Sequence, residues 1–148
     1  MVLLKLLKII YNFDFDYSKF SLTVKSKMKK ILIIDDKPSI SKLIVQILSK
    51  TFEVSTKEDG LQAIAWLQAG NIPDLIVTDL QMPIMDGMEF IRRIKESGFF
   101  RDIPVVVLSS KDSSADRIKC LKMGAEDYLI KPFNPEELLI RIERILER

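Results

Sequence analysis

The chain contains 148 residues with a formal net charge of +2; 47% of the residues are hydrophobic and 30% are charged. This composition is that of an ordinary globular protein with one domain. The absence of histidine excludes histidine-based catalysis and histidine-ligated metals within the chain. The single cysteine permits no internal disulfide and fits a reducing compartment, so we expect a cytoplasmic protein.

The first 27 residues differ in charge from the rest. Before Met28, five lysines against two aspartates give a local charge of +3, so residues 28–148 carry −1. The basic character belongs to the N-terminal segment, and the remainder gives no electrostatic reason to expect nucleic acid as a partner. We predict an N-terminal extension of uncertain structure over residues 1–27 and one domain over residues 28–148.

Residues 2–10 are apolar except for two lysines. In a helix, Lys5, Lys8 and Asn12 would form one polar stripe. The run has about half of the roughly 20 apolar residues that span a bilayer, and it lacks the features of a signal peptide, so we expect no stable membrane insertion. Three interpretations stay open. The protein could naturally begin at Met28, with the residues before it dispensable or not translated; they could form an interfacial or partner-binding helix; or they could be an integral part of the fold.

From Lys30 onwards, short apolar runs alternate five times with helical patterns. Strands are predicted over residues 31–34, 52–56, 74–79, 104–109 and 126–130. Helices are predicted over residues 38–48, 60–69, 88–96, 114–123 and 135–146. Right-handed crossovers between such strands give an α/β fold, in which a doubly wound five-stranded parallel sheet carries helices on both faces.

Polar side chains follow four of the five predicted strands. Asp35 and Asp36 end the first strand, Asp79 the third and Ser109 the fourth, while Lys131 follows the fifth. Because the carboxyl ends of parallel strands share one edge, we expect these side chains to meet there. Clustered carboxylates repel each other, and Mg²⁺ would relieve the repulsion. With a lysine and a hydroxyl for phosphate oxygens, the set describes phosphoryl transfer onto an aspartate.

These residues lie in motifs that resemble the receiver domain of two-component response regulators, of the stand-alone, CheY-like type. The matching motifs are Ile33-Ile-Asp-Asp36, Thr78-Asp-Leu-Gln-Met-Pro-Ile-Met-Asp-Gly87, Val107-Leu-Ser-Ser110, Gly124-Ala-Glu-Asp-Tyr128 and Ile130-Lys-Pro-Phe133. The resemblance covers Lys30 to Arg148. It implies a flavodoxin-like (βα)5 fold with strand order 2-1-3-4-5.

The resemblance also implies a role for each site residue. Asp79 would accept a phosphoryl group from a histidine kinase or a histidine phosphotransfer protein. Mg²⁺ would be held by Asp36, Asp79 and the backbone carbonyl of Gln81, with Asp35 acting mainly through water. Lys131 would contact the phosphoryl group. Such a protein is not a conventional enzyme, although it catalyses its own phosphorylation and dephosphorylation.

Two further residues would act as a switch. Ser109 would move to the phosphoryl group after transfer, and Tyr128 would then change rotamer. This change would alter the surface formed by the last two helices and the fifth strand, where a downstream protein or a second copy of the chain could bind. The family resemblance also implies a cis bond between Lys131 and Pro132.

Other functions remain as alternatives. A pseudo-receiver would bind partners without being phosphorylated. Haloacid-dehalogenase-like phosphatases place a second aspartate two residues after the nucleophile, where this chain has Gln81. A flavodoxin-like FMN site needs a hydroxyl-rich loop after the first strand, and the carboxylates of Asp35 and Asp36 would repel its phosphate. Both enzyme classes are therefore disfavoured.

Overall fold

The computed structural model describes residues 2–11 and 27–148. Residues 2–11 include a helix, α1, from Val2 to Tyr11. Of the predicted N-terminal extension, Met1 and residues 12–26 lie outside the described residues. No helix in the described ranges is both long enough and apolar enough to cross a membrane.

Five strands and five helices alternate after residue 29, as the sequence predicts. Their bounds are β1 Lys30–Ile34, α2 Pro38–Leu48, β2 Glu53–Lys57, α3 Gly60–Gln68, β3 Leu75–Asp79, α4 Gly87–Glu96, β4 Val105–Ser109, α5 Ser114–Lys122, β5 Asp127–Ile130 and α6 Pro135–Leu146. The second strand lies one residue later than predicted. The strands form one parallel sheet in the order β2-β1-β3-β4-β5, which confirms the predicted topology.

The sheet is covered on both faces, which explains why β3 and β4 are apolar up to the polar residues at their carboxyl ends. All five residues of β3 and all five of β4 are buried. One core cluster packs side chains of α3, α4 and α5 against the sheet, and the other packs α2 and α6 against the opposite face. Each fully buried Leu, Ile, Val or Phe contributes about 1.5–3 kcal/mol, so these faces supply most of the stability.

Side-chain caps fix where the helices begin near the carboxyl edge of the sheet. Asp59 accepts a hydrogen bond from the N–H of Gln62 at the start of α3. Asp86 caps α4 by accepting from the N–H of Glu89. Each cap satisfies an N–H group that has no partner within its helix, which stabilises the helix by about 1 kcal/mol. The caps therefore define the loops that surround the strand ends.

Candidate functional site

Three aspartates meet at the carboxyl edge of the sheet. Asp35 and Asp36 directly follow β1, and Asp79 is the last residue of the neighbouring strand β3. One carboxylate oxygen from each of the three lies within 4.8 Å of the others. The structure thus brings together the three carboxylates that the sequence predicts as a site.

Lys131 reaches the same cluster from the end of β5. Its Nζ lies 2.8 Å from Oδ2 of Asp35 and 3.3 Å from Oδ2 of Asp79, and its side chain is 11% exposed. Its backbone N–H donates to the carbonyl of Ser109 over 2.8 Å, which fixes the position of the side chain. The Lys131–Pro132 peptide bond is cis, as the family resemblance implies.

The three carboxylates differ in their hydrogen bonds. Oδ1 of Asp35 accepts from the N–H of Lys37 over 2.9 Å. Oδ1 of Asp79 accepts from the N–H of Leu80 over 2.7 Å, so the rotamer of this side chain is fixed by the backbone. Oδ1 of Asp36, by contrast, is buried and has no hydrogen-bond partner within residues 27–148. A buried carboxylate oxygen without a donor is costly, so this atom is expected to have a ligand.

The donor set fits a divalent cation. Three carboxylates and one ammonium give the cluster a formal charge of −2. At 4.8 Å, the upper limit of the separation of these oxygens, two carboxylates repel each other by about 3.5 kcal/mol at an effective dielectric constant near 20. Oxygen ligands with few carboxylates suit Mg²⁺, which keeps several of its waters. The unpaired oxygen of Asp36 and the negative charge therefore both fit the predicted Mg²⁺ site.

The predicted switch residues share a contact with the β4–α5 loop. Ser109 is fully buried, and its Oγ accepts from the N–H of Lys111 over 3.1 Å. The hydroxyl of Tyr128 donates to the carbonyl of Lys111 over 2.9 Å. Burial raises the pKa of the Tyr128 phenol above its usual value near 10. The backbone of Lys111 thus connects the two side chains, a role that the sequence does not indicate because it depends on main-chain atoms.

The β3–α4 loop is held against Asp79 by a close backbone approach. The N–H of Gly87 donates to the carbonyl of Leu80 over 2.9 Å, and a Cβ at position 87 would overlap the carbonyl oxygen of Asp79. Glycine is therefore required by space, since φ at this position is not in the left-handed region. An aspartate followed by a glycine ahead of a helical pattern is typical of a turn, and the contact with the strand becomes visible only in three dimensions.

Comparison with known proteins agrees with this geometry. The family model "Response regulator receiver domain" matches residues 31–143. The chain belongs to this family. The receiver domain is 39% identical to Response regulator MprA of Mycobacterium sp. (strain KMS), in an alignment of 120 residues that covers 80% of this chain and 51% of MprA.

Solved structures give the same family and fold. The chemotaxis response regulator CheY4 of Vibrio cholerae aligns with a TM-score of 0.74 and 34% identity, over 80% of this chain and 98% of CheY4. The Mn(2+)-bound form of response regulator Rcp1 aligns with a TM-score of 0.69 and 32% identity, over 79% of this chain and 91% of Rcp1. The predicted relation to receiver domains of two-component signalling, with its flavodoxin-like fold, is confirmed.

The chain spans about half the length, or less, of the curated relatives it matches. The part that the chain shares with these relatives is the receiver domain.

Proposed function

We propose that this receiver domain is phosphorylated on Asp79 by a histidine kinase or a histidine phosphotransfer protein. The observation that carries the proposal is the Lys131 ammonium, which lies within 3.3 Å of a carboxylate oxygen of Asp79 and 2.8 Å from Asp35. A lysine in this position can bind an oxygen of the incoming phosphoryl group. The 148 residues contain no histidine, so the donor imidazole lies outside them.

In the proposed reaction, a carboxylate oxygen of Asp79 attacks the phosphorus atom of the donor phosphohistidine. The P–N bond breaks, and the imidazole nitrogen leaves with the electron pair and takes up a proton. The product on the receiver is an acyl phosphate. The hydrogen bond from the Leu80 N–H to Oδ1 of Asp79 keeps the carboxylate oriented during this attack.

The carboxylates of Asp36 and Asp79 would hold Mg²⁺, with the backbone carbonyl of Gln81 as a third ligand and Asp35 acting through water. Once bound, the cation would neutralise part of the negative charge on the phosphoryl oxygens. Asp35 is less available as a direct ligand because it already pairs with Lys131 and with a backbone N–H. Asp36 is more available because one of its oxygens has no hydrogen-bond partner among the residues that the structure describes.

The phosphoryl group would act on the β4–α5 loop. It adds negative charge and acceptor oxygens beside Ser109. The Ser109 hydroxyl would donate to one of these oxygens and would no longer accept from the Lys111 N–H. Tyr128 contacts the same loop through the Lys111 carbonyl, so a displacement of this loop would reach β5. We propose this coupling as the switch, a shift between two conformations with different affinity for a partner.

The surface that would change is formed by α5, β5 and α6. Ile118 and Leu121 on α5 and Ile140 on α6 are each 44–51% exposed. Arg141 on α6 pairs with Asp127 at the start of β5 over 2.7 Å. A mixed apolar and charged surface suits a downstream protein, or a second copy of the chain in a homodimer. A cytoplasmic location is part of the proposal, because the single cysteine fits a reducing compartment.

The proposal is tested by labelling with a small phosphodonor, acetyl phosphate, in the presence of Mg²⁺. Intact-protein mass spectrometry should detect one phosphoryl group on the native chain and none on the Asp79→Asn variant. The Asp102→Asn variant is the matched control, since Asp102 is exposed and outside the cluster. Labelling of Asp79→Asn at the rate of the native chain would refute the assignment. A native chain that stays unlabelled with Mg²⁺ would support the pseudo-receiver alternative.

A further inference from the structure

Helix α1 presents an apolar face that nothing in the receiver mechanism uses. Val2, Leu6, Ile9 and Ile10 are 45–79% exposed. Their spacing of four, three and one residues places them on one side of the helix. A cluster of four large apolar side chains exposed on ten residues is unusual for a surface helix and indicates an interaction.

The charged residues of helix α1 are all basic, whereas Asp14 and Asp16 follow the helix in the sequence. The helix contains two lysines and no acidic residue. Lys5, which is exposed, borders the apolar face. After the helix, Lys27 and Lys29 are exposed as well, immediately before the first strand of the receiver. An apolar face bordered by Lys5, with two more lysines just before the receiver domain, complements the surface of an anionic lipid bilayer, in which negatively charged headgroups cover a hydrocarbon core.

The dimensions favour a helix that lies on the bilayer. Ten residues extend over about 15 Å, which is half of the roughly 30 Å hydrocarbon core, so the helix is too short to cross it. Apart from its two lysines, the helix contains only aliphatic residues and one tyrosine, so it offers few groups for directional recognition of a protein partner. Lysine side chains can extend their ammonium groups to the headgroups while the aliphatic stems stay with the apolar face.

We propose that α1 binds reversibly to the surface of anionic membranes and tethers the receiver domain there. The apolar side chains enter the boundary between headgroups and acyl chains, and the lysines bind the lipid phosphates. Membrane binding by α1 does not require phosphorylation at Asp79, so its test is independent of the test of the proposed function.

The test is co-sedimentation of the full chain with vesicles of phosphatidylglycerol and phosphatidylcholine, and with vesicles of phosphatidylcholine alone. Binding should occur with the first and be much weaker with the second. It should fall in about 1 M salt, where the Debye length is about 3 Å. Lys5→Gln should weaken binding about fivefold at low salt, since each basic residue near an anionic surface contributes about that factor.

The double variant Leu6→Gln/Ile9→Gln removes two apolar side chains. Glutamine is a good helix former, so the helix should be kept. It should weaken binding by about 100-fold, because each large apolar side chain contributes at least tenfold when buried. The matched control is Leu43→Gln/Leu61→Gln, which replaces two exposed leucines on helices of the receiver domain. This control should bind the vesicles as the native chain does.

Three results would overturn the proposal. One is the absence of binding to phosphatidylglycerol vesicles. A second is equal binding by the native chain and by the Leu6→Gln/Ile9→Gln variant. The third is a native chain that forms a dimer in the absence of vesicles, fails to bind them, and becomes monomeric in the double variant, since the apolar face would then be covered by a second copy.

Discussion

Neutralising Asp36 should stabilise the receiver domain in the absence of Mg²⁺, whereas neutralising Asp35 should destabilise it. The two residues are adjacent in the sequence, yet the structure gives them different partners. Asp35 is buried, pairs with Lys131 and accepts from a backbone N–H. Asp36 is close to two other carboxylates, and one of its oxygens has no donor in the described part of the domain.

The size of each effect follows from these contacts. At the upper limit of 4.8 Å, a carboxylate repels its neighbour by about 3.5 kcal/mol at an effective dielectric constant near 20. Asp36 is partly exposed, and Lys131 offsets part of the repulsion, so Asp36→Asn should stabilise by about 1 kcal/mol. Asp35→Asn breaks a buried ion pair at 2.8 Å and should destabilise the domain by about 3 kcal/mol. This value is at the lower end of the range for buried ion pairs, because Lys131 keeps Asp79 as a partner.

Urea denaturation in EDTA measures the change in the free energy of unfolding of each variant. Repeating it with increasing Mg²⁺ measures the affinity of each variant for the cation. At about 100 times its dissociation constant, Mg²⁺ should raise the free energy of unfolding of the native chain by about 2.7 kcal/mol. Asp36→Asn should lose more Mg²⁺ affinity than Asp35→Asn, because it removes the carboxylate that is free to bind the cation. A destabilised Asp36→Asn variant in EDTA, or equal losses of Mg²⁺ affinity in the two variants, would contradict this account of the site.

Three further results are expected. Gly87→Ala should destabilise the domain by about 2 kcal/mol or more, because its Cβ would overlap the carbonyl of Asp79. Gly98→Ala is the control and should change little, since its Cβ would meet no atom within 4 Å in the described part of the chain. Equal urea midpoints for the two variants would disprove the close approach. Tyr128→Phe should cost about 1 kcal/mol, the net value of the lost hydrogen bond to Lys111. Because burial raises the pKa of the Tyr128 phenol, its contribution to stability should hold below pH 10 and fall as the pH rises above it. An ultraviolet difference titration of the native chain against Tyr128→Phe measures this pKa. A value at or below 10 would contradict the burial argument.

The close approach at Gly87 marks the limit of reasoning from local patterns. An aspartate followed by glycine before a helical pattern predicts a turn, and the structure has a helix cap at Asp86 and α4 beginning at Gly87. The sequence does not indicate that this glycine packs onto the backbone of β3, because that contact depends on how the loop folds back over the strand. Ile84, in the same loop, has φ of 67°, which is unexpected for a β-branched residue.

The sequence by itself determined the number, type and order of the elements of the receiver domain and the residues at its carboxyl edge. It could do so because buried parallel strands have apolar runs, amphipathic helices have a periodic pattern, and parallel strands bring their ends to one edge whatever the details of packing. The site residues Asp35, Asp36, Asp79 and Lys131 follow from this rule.

Only the tertiary structure decided how these side chains divide their partners. Lys131 lies closer to Asp35 than to Asp79. Within the described ranges, Asp36 keeps one oxygen without a hydrogen-bond partner, and Tyr128 donates to the backbone carbonyl of Lys111. These contacts join residues that are up to 96 positions apart. Their distances depend on strand register, loop conformation and rotamers together, and no local pattern in the sequence fixes those three at once.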